Sequence, residues 1–550
     1  MKYLIFIFCF FLAFSCSAPE QEEATGETYD IVVYGGTSGG IAAAIQASRM
    51  GKSVVLIEPY YRLGGMTTGG LGQTDIGNKQ AIGGISREFY RNIKTYYNQT
   101  ENWKWQERES YMDGGQTRTE EGEDAMWTFE PSTALQVYEE MLAAENVEVV
   151  MGEKLDREDG VLKEGSEIQK ITMESGSTFR GKMFIDATYE GDLLATAGVD
   201  YTVGRESNEV YGETYNGVQL LEGHQFPDGI DPYAEPGNPE SDLLYGISTA
   251  SLDERGSGDS LVQAYNFRIC LTDNPDNMLP ISEPANYDSS NYELLARLFE
   301  AQPDMRGINQ YFIWSLMPNA KTDINNRGGF STDMINMSHA YPEVTYEERE
   351  EIIKAHEDYT KGLLYFYTTD PRVPEVLQEE VKKWGYPKDE YEDNGNWSPQ
   401  LYVREARRMI GEYVMTQANC QGDEVIDDPV GLAAYTMDSH NCQRIVVDGQ
   451  VKNEGNVEVG GFPPYPISYR SIIPKKEEAT NLLVPVALSA SHIAFGSIRM
   501  EPVFMVLGQS AATAASLAID VESSVQEIDY AQLREKLLSD DQILENKVDL

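Results

Sequence analysis

Cysteine and histidine are scarce in this chain, with five of each in 550 residues. Beyond the first sixteen positions only Cys270, Cys420 and Cys442 remain, an odd set without CxxC spacing. That excludes a zinc ribbon and a disulfide-stapled scaffold, although one pair, such as Cys420 with Cys442, could bridge in an oxidising compartment. Positive charge is scarce too. Lysine and arginine total 43 against 90 aspartates and glutamates, a formal net charge of -47. No basic stripe is present to follow a phosphate backbone, so nucleic acid is excluded as a partner. The excess of acid describes a solvated, self-repelling surface, and a local arginine cluster can still receive an acidic substrate. Past the N-terminus, no run is expected to approach the roughly 20 apolar residues needed to cross a bilayer. No internal repeat is visible.

What is present is enough apolar residue (41%) and glycine (48 residues) for a large folded chain of two or more domains. Lys2 precedes an apolar run from Tyr3 to Phe14, too short to span a bilayer and suited to a signal-peptide core. It ends at Ser15-Cys16 and turns acidic at Glu20-Gln21-Glu22-Glu23. The pattern resembles a bacterial lipoprotein signal, in which Cys16 becomes the lipidated first residue; Ala13 and Ser15 fit and bulky Phe14 departs from it. The alternative is an ordinary cleaved signal with incidental cysteines. The acids after Cys16 resemble the surface-export signal of Gram-negative lipoproteins, which implies anchoring at the outer membrane through lipid alone.

Tyr29 to Tyr34 is a short β-branched run fit for a buried strand. Gly35-Gly36-Thr37-Ser38-Gly39-Gly40 follows, then a small-residue helix from Ile41 to Met50 that Gly51 can stop. Ser53 to Ile57 is a second strand, closed by Glu58. Strand, glycine turn, helix, strand and terminal acid compose a dinucleotide-binding unit. Gly35 permits the sharp exit from the strand and Gly40 lets the helix sit against it. The free N–H groups at the helix start favour a diphosphate, and Glu58 can accept from ribose hydroxyls. Thr37 departs from the pattern, since it stands where the middle glycine is usual.

Just beyond lie Gly64-Gly65-Met66, Gly69-Gly70-Leu71-Gly72-Gln73-Thr74-Asp75 and Gly83-Gly84. On these residues the chain resembles flavoproteins of the glutathione-reductase fold, the fumarate-reductase branch included, and more narrowly the bacterial FAD-dependent oxidoreductases. The resemblance implies FAD, with Gly64, Gly65 and Met66 passing close to the flavin and the strand around Val149 beside the adenine. It implies a second contact at Asp186-Ala187-Thr188, where Glu190 and Asp192 read equally as helix-cap acids or as catalytic groups. It also implies that a late strand, Asn481 to Val486, and a helix carrying Gly508-Gln509-Ser510 return to the flavin. Gly204-Arg205-Glu206, Lys321 to Asn326 and Tyr469-Arg470 share the family look without an assigned role. No histidine precedes His224, which argues against a covalent histidyl flavin.

The fold class expected is α/β: a discontinuous Rossmann-like FAD-binding domain of the glutathione-reductase type with an inserted α+β substrate domain. The boundaries read as signal 1–16, tether 17–27, FAD-binding part 28–200, substrate domain 201–445, FAD-binding part 446–525 and helical tail 526–550. Tyr292 to Glu300 and Tyr346 to Leu364 are the clearest helices of the middle. Tyr402 to Arg408 is expected to be helical as well, with Arg404 and Arg407 or Arg408 on one face bridging domains.

Flavin performs the redox step, so the protein must place a substrate and move a proton. His492, between two flavin-binding elements, is the first candidate base and His440 the second. Arg499 is the candidate to hold a carboxylate or oxyanion, against an ion pair with Glu501 or another neighbour. His224, His339 and His356 carry low expectation. The function expected is dehydrogenation of a small polar molecule, a sugar or sugar acid, with the electron acceptor unassigned. An FAD oxidase, a non-redox glycan-processing lyase and a glycan-binding lipoprotein stand as alternatives. The signal lacks twin arginines and so resembles one for unfolded export, in which case FAD is acquired after export.

Overall fold

The computed structural model describes residues 28–112, 114 and 118–546. The signal and tether expected at 1–27 lie outside the described residues. The chain starts with strand β1 (Thr28–Tyr34), helix α1 (Ser38–Arg49) and strand β2 (Val54–Glu58). Met50 caps α1 and Gly51 follows at φ +73°, so the glycine stop read from sequence is the observed one. Strand β3 (Glu148–Met151), β4 (Val161–Glu164), β5 (Glu167–Thr172) and β6 (Thr178–Asp186) complete the first part of one sheet.

The sheet order is β3-β2-β1-β6-β5-β4, parallel from β3 through β6 and antiparallel beyond. Residues 300 positions later rejoin it: Leu482–Leu483 pairs in parallel with Phe184 and Ile185 of β6. The two ends of the chain therefore meet in one sheet. Successive β1 residues explain why this sheet is buried on both sides. Ile31 and Val33 belong to one apolar cluster, Val32 and Tyr34 to another. A strand feeding two cores reads as a continuous apolar run rather than an alternating one.

The cover on one face is the 21-residue helix Glu501–Val521, packed along α1. Contact is close because glycines meet: a Cβ on Gly508 would strike the carbonyl of Gly39, and one on Gly39 would lie 3.0 Å from the Phe504 carbonyl oxygen. By length and composition this helix is able to cross a membrane, which corrects the expectation that no interior run approaches that size. Its most apolar window is 89% buried, because small residues let it pack as a core helix between α1 and the Pro429–Ala433 strand.

The middle of the chain is built from two-stranded pieces and one long helix. Phe312–Met317 pairs with Lys321–Asn326, Met437–Ser439 with Val457–Val459, and Gln443–Val447 with Gln450–Glu454. The helix Tyr346–Thr369 opens on a capping box, in which Thr345 accepts from Glu348 N–H and Glu348 returns the bond. Tyr402 to Arg408 is not helical: it is extended and ends in a two-residue strand, Arg408–Met409. The reason is electrostatic. A helix would stack Arg404 on Arg408, whereas the extended chain sends Arg404 to Asp333, Arg407 to Asp192 and Arg408 to Glu206 and Glu405. All three described cysteines are free, buried thiols, so no bridge joins Cys420 to Cys442.

Candidate active site

The turn after β1 is held from both sides. Gly35 has φ +103°, and a Cβ there would lie 2.7 Å from the Ala187 carbonyl carbon and the Thr188 nitrogen. Only glycine lets the exits of β1 and β6 come this close. A Cβ on Gly40 would strike the Gly35 carbonyl, so the first turn of α1 rests directly on the strand end. Thr37 explains its own departure from the glycine pattern. It is the N-cap of α1, its hydroxyl accepting from Gly40 N–H at 3.3 Å and donating to the Ala187 carbonyl at 2.7 Å. The side chain ties helix to sheet.

Glu58 lies 7% exposed at the end of β2. It accepts from Gly36 N–H at 2.7 Å and from Tyr60 N–H at 2.9 Å. Burial pushes its carboxyl up to about 7 despite those two bonds, and nearby Glu190 adds to the rise. The N–H groups of Ser38 and Gly39 are buried at the positive end of α1 with no hydrogen-bond partner among the described residues. Two buried donors on a helix dipole, beside a carboxylate clasped by backbone, fit a diphosphate with an adjoining ribose.

Around this centre the remaining expected residues divide. Gly64 N–H donates to the Gly36 carbonyl at 2.7 Å, and Met66 N–H donates to Tyr189 Oη at 2.9 Å, so the Gly64-Gly65-Met66 turn packs on the first glycine turn. Asp186 spends its carboxylate locally: Oδ1 accepts from Thr188 N–H and Oγ, and Oδ2 from Leu194 N–H at 2.8 Å. Burial pushes it up to about 6. Ala187 offers its carbonyl to Thr37. Val149 pairs with Leu56 in the sheet. Gly508 touches α1, while Gln509 Oε1 accepts from Ile85 N–H at 2.8 Å and Ser510 donates to the Val430 carbonyl. Those last two bind the scaffold. The start of that helix is Glu501, which the sequence reading treated only as a partner for Arg499. Its carboxylate instead accepts from Thr67 Oγ1 at 2.8 Å and Tyr189 Oη at 2.7 Å, and burial raises its pKa.

Of the two acids read as caps or catalysts, Asp192 begins the Asp192–Thr196 helix and pairs with Arg349, Arg407 and Arg157. Burial opposes its ionisation, but the arginines, Arg349 foremost, hold it down at about 2. Glu190 accepts from Tyr341 Oη at 3.1 Å, and burial raises it.

The segment 402–408 meets residues from four distant stretches. His492 is fully engaged: Nδ1 lies 2.7 Å from Glu405 Oε2 and Nε2 lies 2.9 Å from Ser439 Oγ. The order Ser439–His492–Glu405 has the spacing of a nucleophile triad, with Ser439 0% exposed. Glu405 also accepts from Arg408 at 2.9 Å, and Arg408 reaches Glu206 at 2.7 Å. His440 is placed otherwise. Its Nδ1 is 2.8 Å from Asp333 Oδ2, and the nearest acid to Nε2 is Asp438 at 3.6 Å, beyond hydrogen-bond reach. The Asp333 contact orients the ring and turns Nε2 toward Asp438.

Arg499 pairs with Asp438 Oδ2 at 3.1 Å, not with Glu501, and donates to Tyr402 Oη at 3.1 Å. Arg404 lies 3.0 Å from Asp333 Oδ1, a charge contact without hydrogen-bond alignment. Asp333 and Asp438 are both held below the usual carboxylate range, against burial, by Arg404, Arg499 and His440. Lys321 to Asn326 is a strand, paired with Phe312–Met317. It is a strand because its charges are buried in pairs: Lys321 meets Glu130 and Glu390 at 2.7 Å each, and Asp323 meets Arg268 at 2.6 Å. Arg470 pairs with Asp428. His224, His339 and His356 face Glu458, the Cys442 carbonyl and the Ile352 carbonyl.

A family model described as FAD dependent oxidoreductase matches residues 30–537. No curated protein matches the sequence. Solved structures give distant likenesses. L-amino acid deaminase from Proteus vulgaris is 17% identical over 34% of this chain and 53% of its own, at a TM-score of 0.24. Thioredoxin reductase from Streptococcus pyogenes is 20% identical over 34% and 40%, at 0.17. OxyS anhydrotetracycline hydroxylase from Streptomyces rimosus is 10% identical over 36% of each chain, at 0.21. The matched part thus spans about half or less of those proteins.

Proposed function

The chain belongs to the FAD dependent oxidoreductase family, and from that premise we propose a dehydrogenase that removes a hydride from a small polar substrate, a sugar or sugar acid, with FAD held noncovalently. Bound FAD supplies the two-electron acceptor. The observation that carries the reading is the pair of buried, unpartnered N–H groups at Ser38 and Gly39 beside the clasped carboxylate of Glu58. These would hold the diphosphate and ribose of FAD, and the Gly64-Gly65-Met66 turn, packed on the first glycine turn, would lie beside it.

The substrate side is the cleft of His440, Asp438, Tyr402 and Arg499. Asp333 fixes the His440 ring through Nδ1, so Nε2 receives the hydroxyl proton as the carbon loses hydride. Arg499 stays charged and aimed by Asp438 and steadies oxygen that becomes electron-rich as the proton leaves. His492, locked between Glu405 and Ser439, positions the 402–408 segment. The sugar class is supported by the export signal and by the abundance of tyrosine (33 residues). The same reading places the mature chain at the outer membrane, anchored through Cys16, a position outside the described residues.

The experiment is anaerobic. FAD-loaded protein is mixed with polyols, sugars and their acids while the visible flavin absorbance is followed. Bleaching by one class supports dehydrogenation and names the substrate. A flavin that stays oxidised with all of them removes the proposal.

A further inference from the structure

Beside His440, Arg404 Nε, Arg499 Nε and Asn441 Nδ2 are buried donors without a hydrogen-bond partner among the described residues, and Arg404 Nη2 and Asp333 Oδ1 face each other without hydrogen-bond alignment. Arg404, Arg499 and Asn441 are 1%, 4% and 3% exposed. Buried donors are nearly always satisfied, so three together call for an acceptor. They share one neighbourhood. Both guanidiniums lie over the Tyr402 ring, with Cζ 4.7 Å and 5.8 Å from its centroid. Ala264 joins Arg404 to Asn441, since its carbonyl accepts from Arg404 and its N–H donates to the Asn441 carbonyl at 3.0 Å. Asp438 Oδ2 joins Arg499, at 3.1 Å, to His440 Nε2, at 3.6 Å.

Asp333 and Asp438 engage terminal nitrogens of the two guanidiniums and leave both Nε edges unpaired. The ion pairs keep the arginines oriented, and the free edges present N–H donors fixed by cationic groups. On a protein of net charge -47, two such groups in one buried place mark an anion site rather than general attraction.

We infer that Arg404, Arg499 and Asn441 form a carboxylate subsite, so that the substrate is a hydroxy acid and not a neutral sugar. The inference rests on the redox reading of the cleft and sharpens it. The carboxylate is held unchanged while the neighbouring C–H gives hydride to the flavin and the hydroxyl gives its proton to His440 Nε2, leaving a keto acid.

The test measures binding apart from turnover. Glycolate, lactate and gluconate are titrated calorimetrically into FAD-loaded and flavin-free protein, each against its neutral counterpart: ethylene glycol, propane-1,2-diol and glucitol. At least one acid should bind the loaded protein about ten-fold or more tighter than its alcohol. Asn441→Leu should remove that margin at an unchanged melting temperature, because it deletes a donor that bonds nothing in the folded chain. Arg404→Gln should remove it too, with some loss of stability. Equal affinity of acids and alcohols overturns the inference. So does acid binding confined to flavin-free protein and displaced by FAD, since the donors then serve the cofactor. Acid binding to loaded protein with no bleaching keeps the subsite and removes the redox reading.

Discussion

The two halves of the site treat buried acids in opposite ways. At the nucleotide end Glu58, Asp186 and Glu501 are held by backbone N–H groups and hydroxyls, with no cation against them, and burial raises all three. Around the 402–408 segment Asp333, Asp438, Glu405 and Glu206 meet arginine or histidine and are all lowered. A diphosphate brings its own negative charge, and the N–H groups and dipole at the start of α1 suit it without a paired cation. The 402–408 region is braced by ion pairs, and under the proposed function it also moves a proton.

The comparison breaks most visibly if a brace is removed. Arg408→Met strands Glu206 and Glu405 together in the interior and should cost about 3–5 kcal/mol in chemical denaturation. A loss below about 1 kcal/mol would mean the cleft does not depend on its ion pairs. At the nucleotide end the sensitive element is steric. Gly40→Val drives a side chain into the Gly35 carbonyl and should cost about 3 kcal/mol and most of the bound flavin, read by melting and by absorbance.

The pH dependence of flavin-free protein separates the halves further. Glu58 rises from 4.5 to about 7, so its contribution is complete below 4.5 and is lost as pH climbs to 7. Glu206 falls from 4.5 to about 2, so its contribution is present above 4.5 and is lost as pH drops toward 2. Stability should decline on both sides, and Glu58→Gln should flatten only the upper limb, by at most about 3 kcal/mol. The smallest effect expected is at the turn. Thr37→Gly restores the usual glycine yet removes the link to Ala187, and should cost about 1 kcal/mol.

The same contrast governs what the sequence discloses. The nucleotide end is legible because strand, turn, helix, strand and acid all fall between Thr28 and Glu58, and each obeys a local rule. Even there, Thr37 reads as a defect until the Ala187 carbonyl comes into view. The cleft is assembled from residues near 263, 333, 402–408, 438–441 and 492–499, and nothing local announces the pairing of His440 with Asp333 or of His492 with Glu405. The segment 402–408 is extended rather than helical, yet its arginines do bridge to distant acids, Asp333, Asp192 and Glu206. A usable signal was present: four charged residues within seven positions, three of them arginine, in a chain poor in arginine and lysine. In the C-terminal helix Gly508-Gln509-Ser510 lie two turns past the helix start, which is Glu501.

The most direct measurement follows anaerobic flavin reduction by stopped flow in His440→Gln and His492→Gln, each loaded with FAD and mixed with whichever substrate bleaches the unaltered protein. The account predicts a rate about 10²–10⁴-fold lower for His440→Gln at full flavin content, and a mainly thermal loss for His492→Gln. Undiminished reduction in His440→Gln, with the large rate loss in His492→Gln, would contradict it.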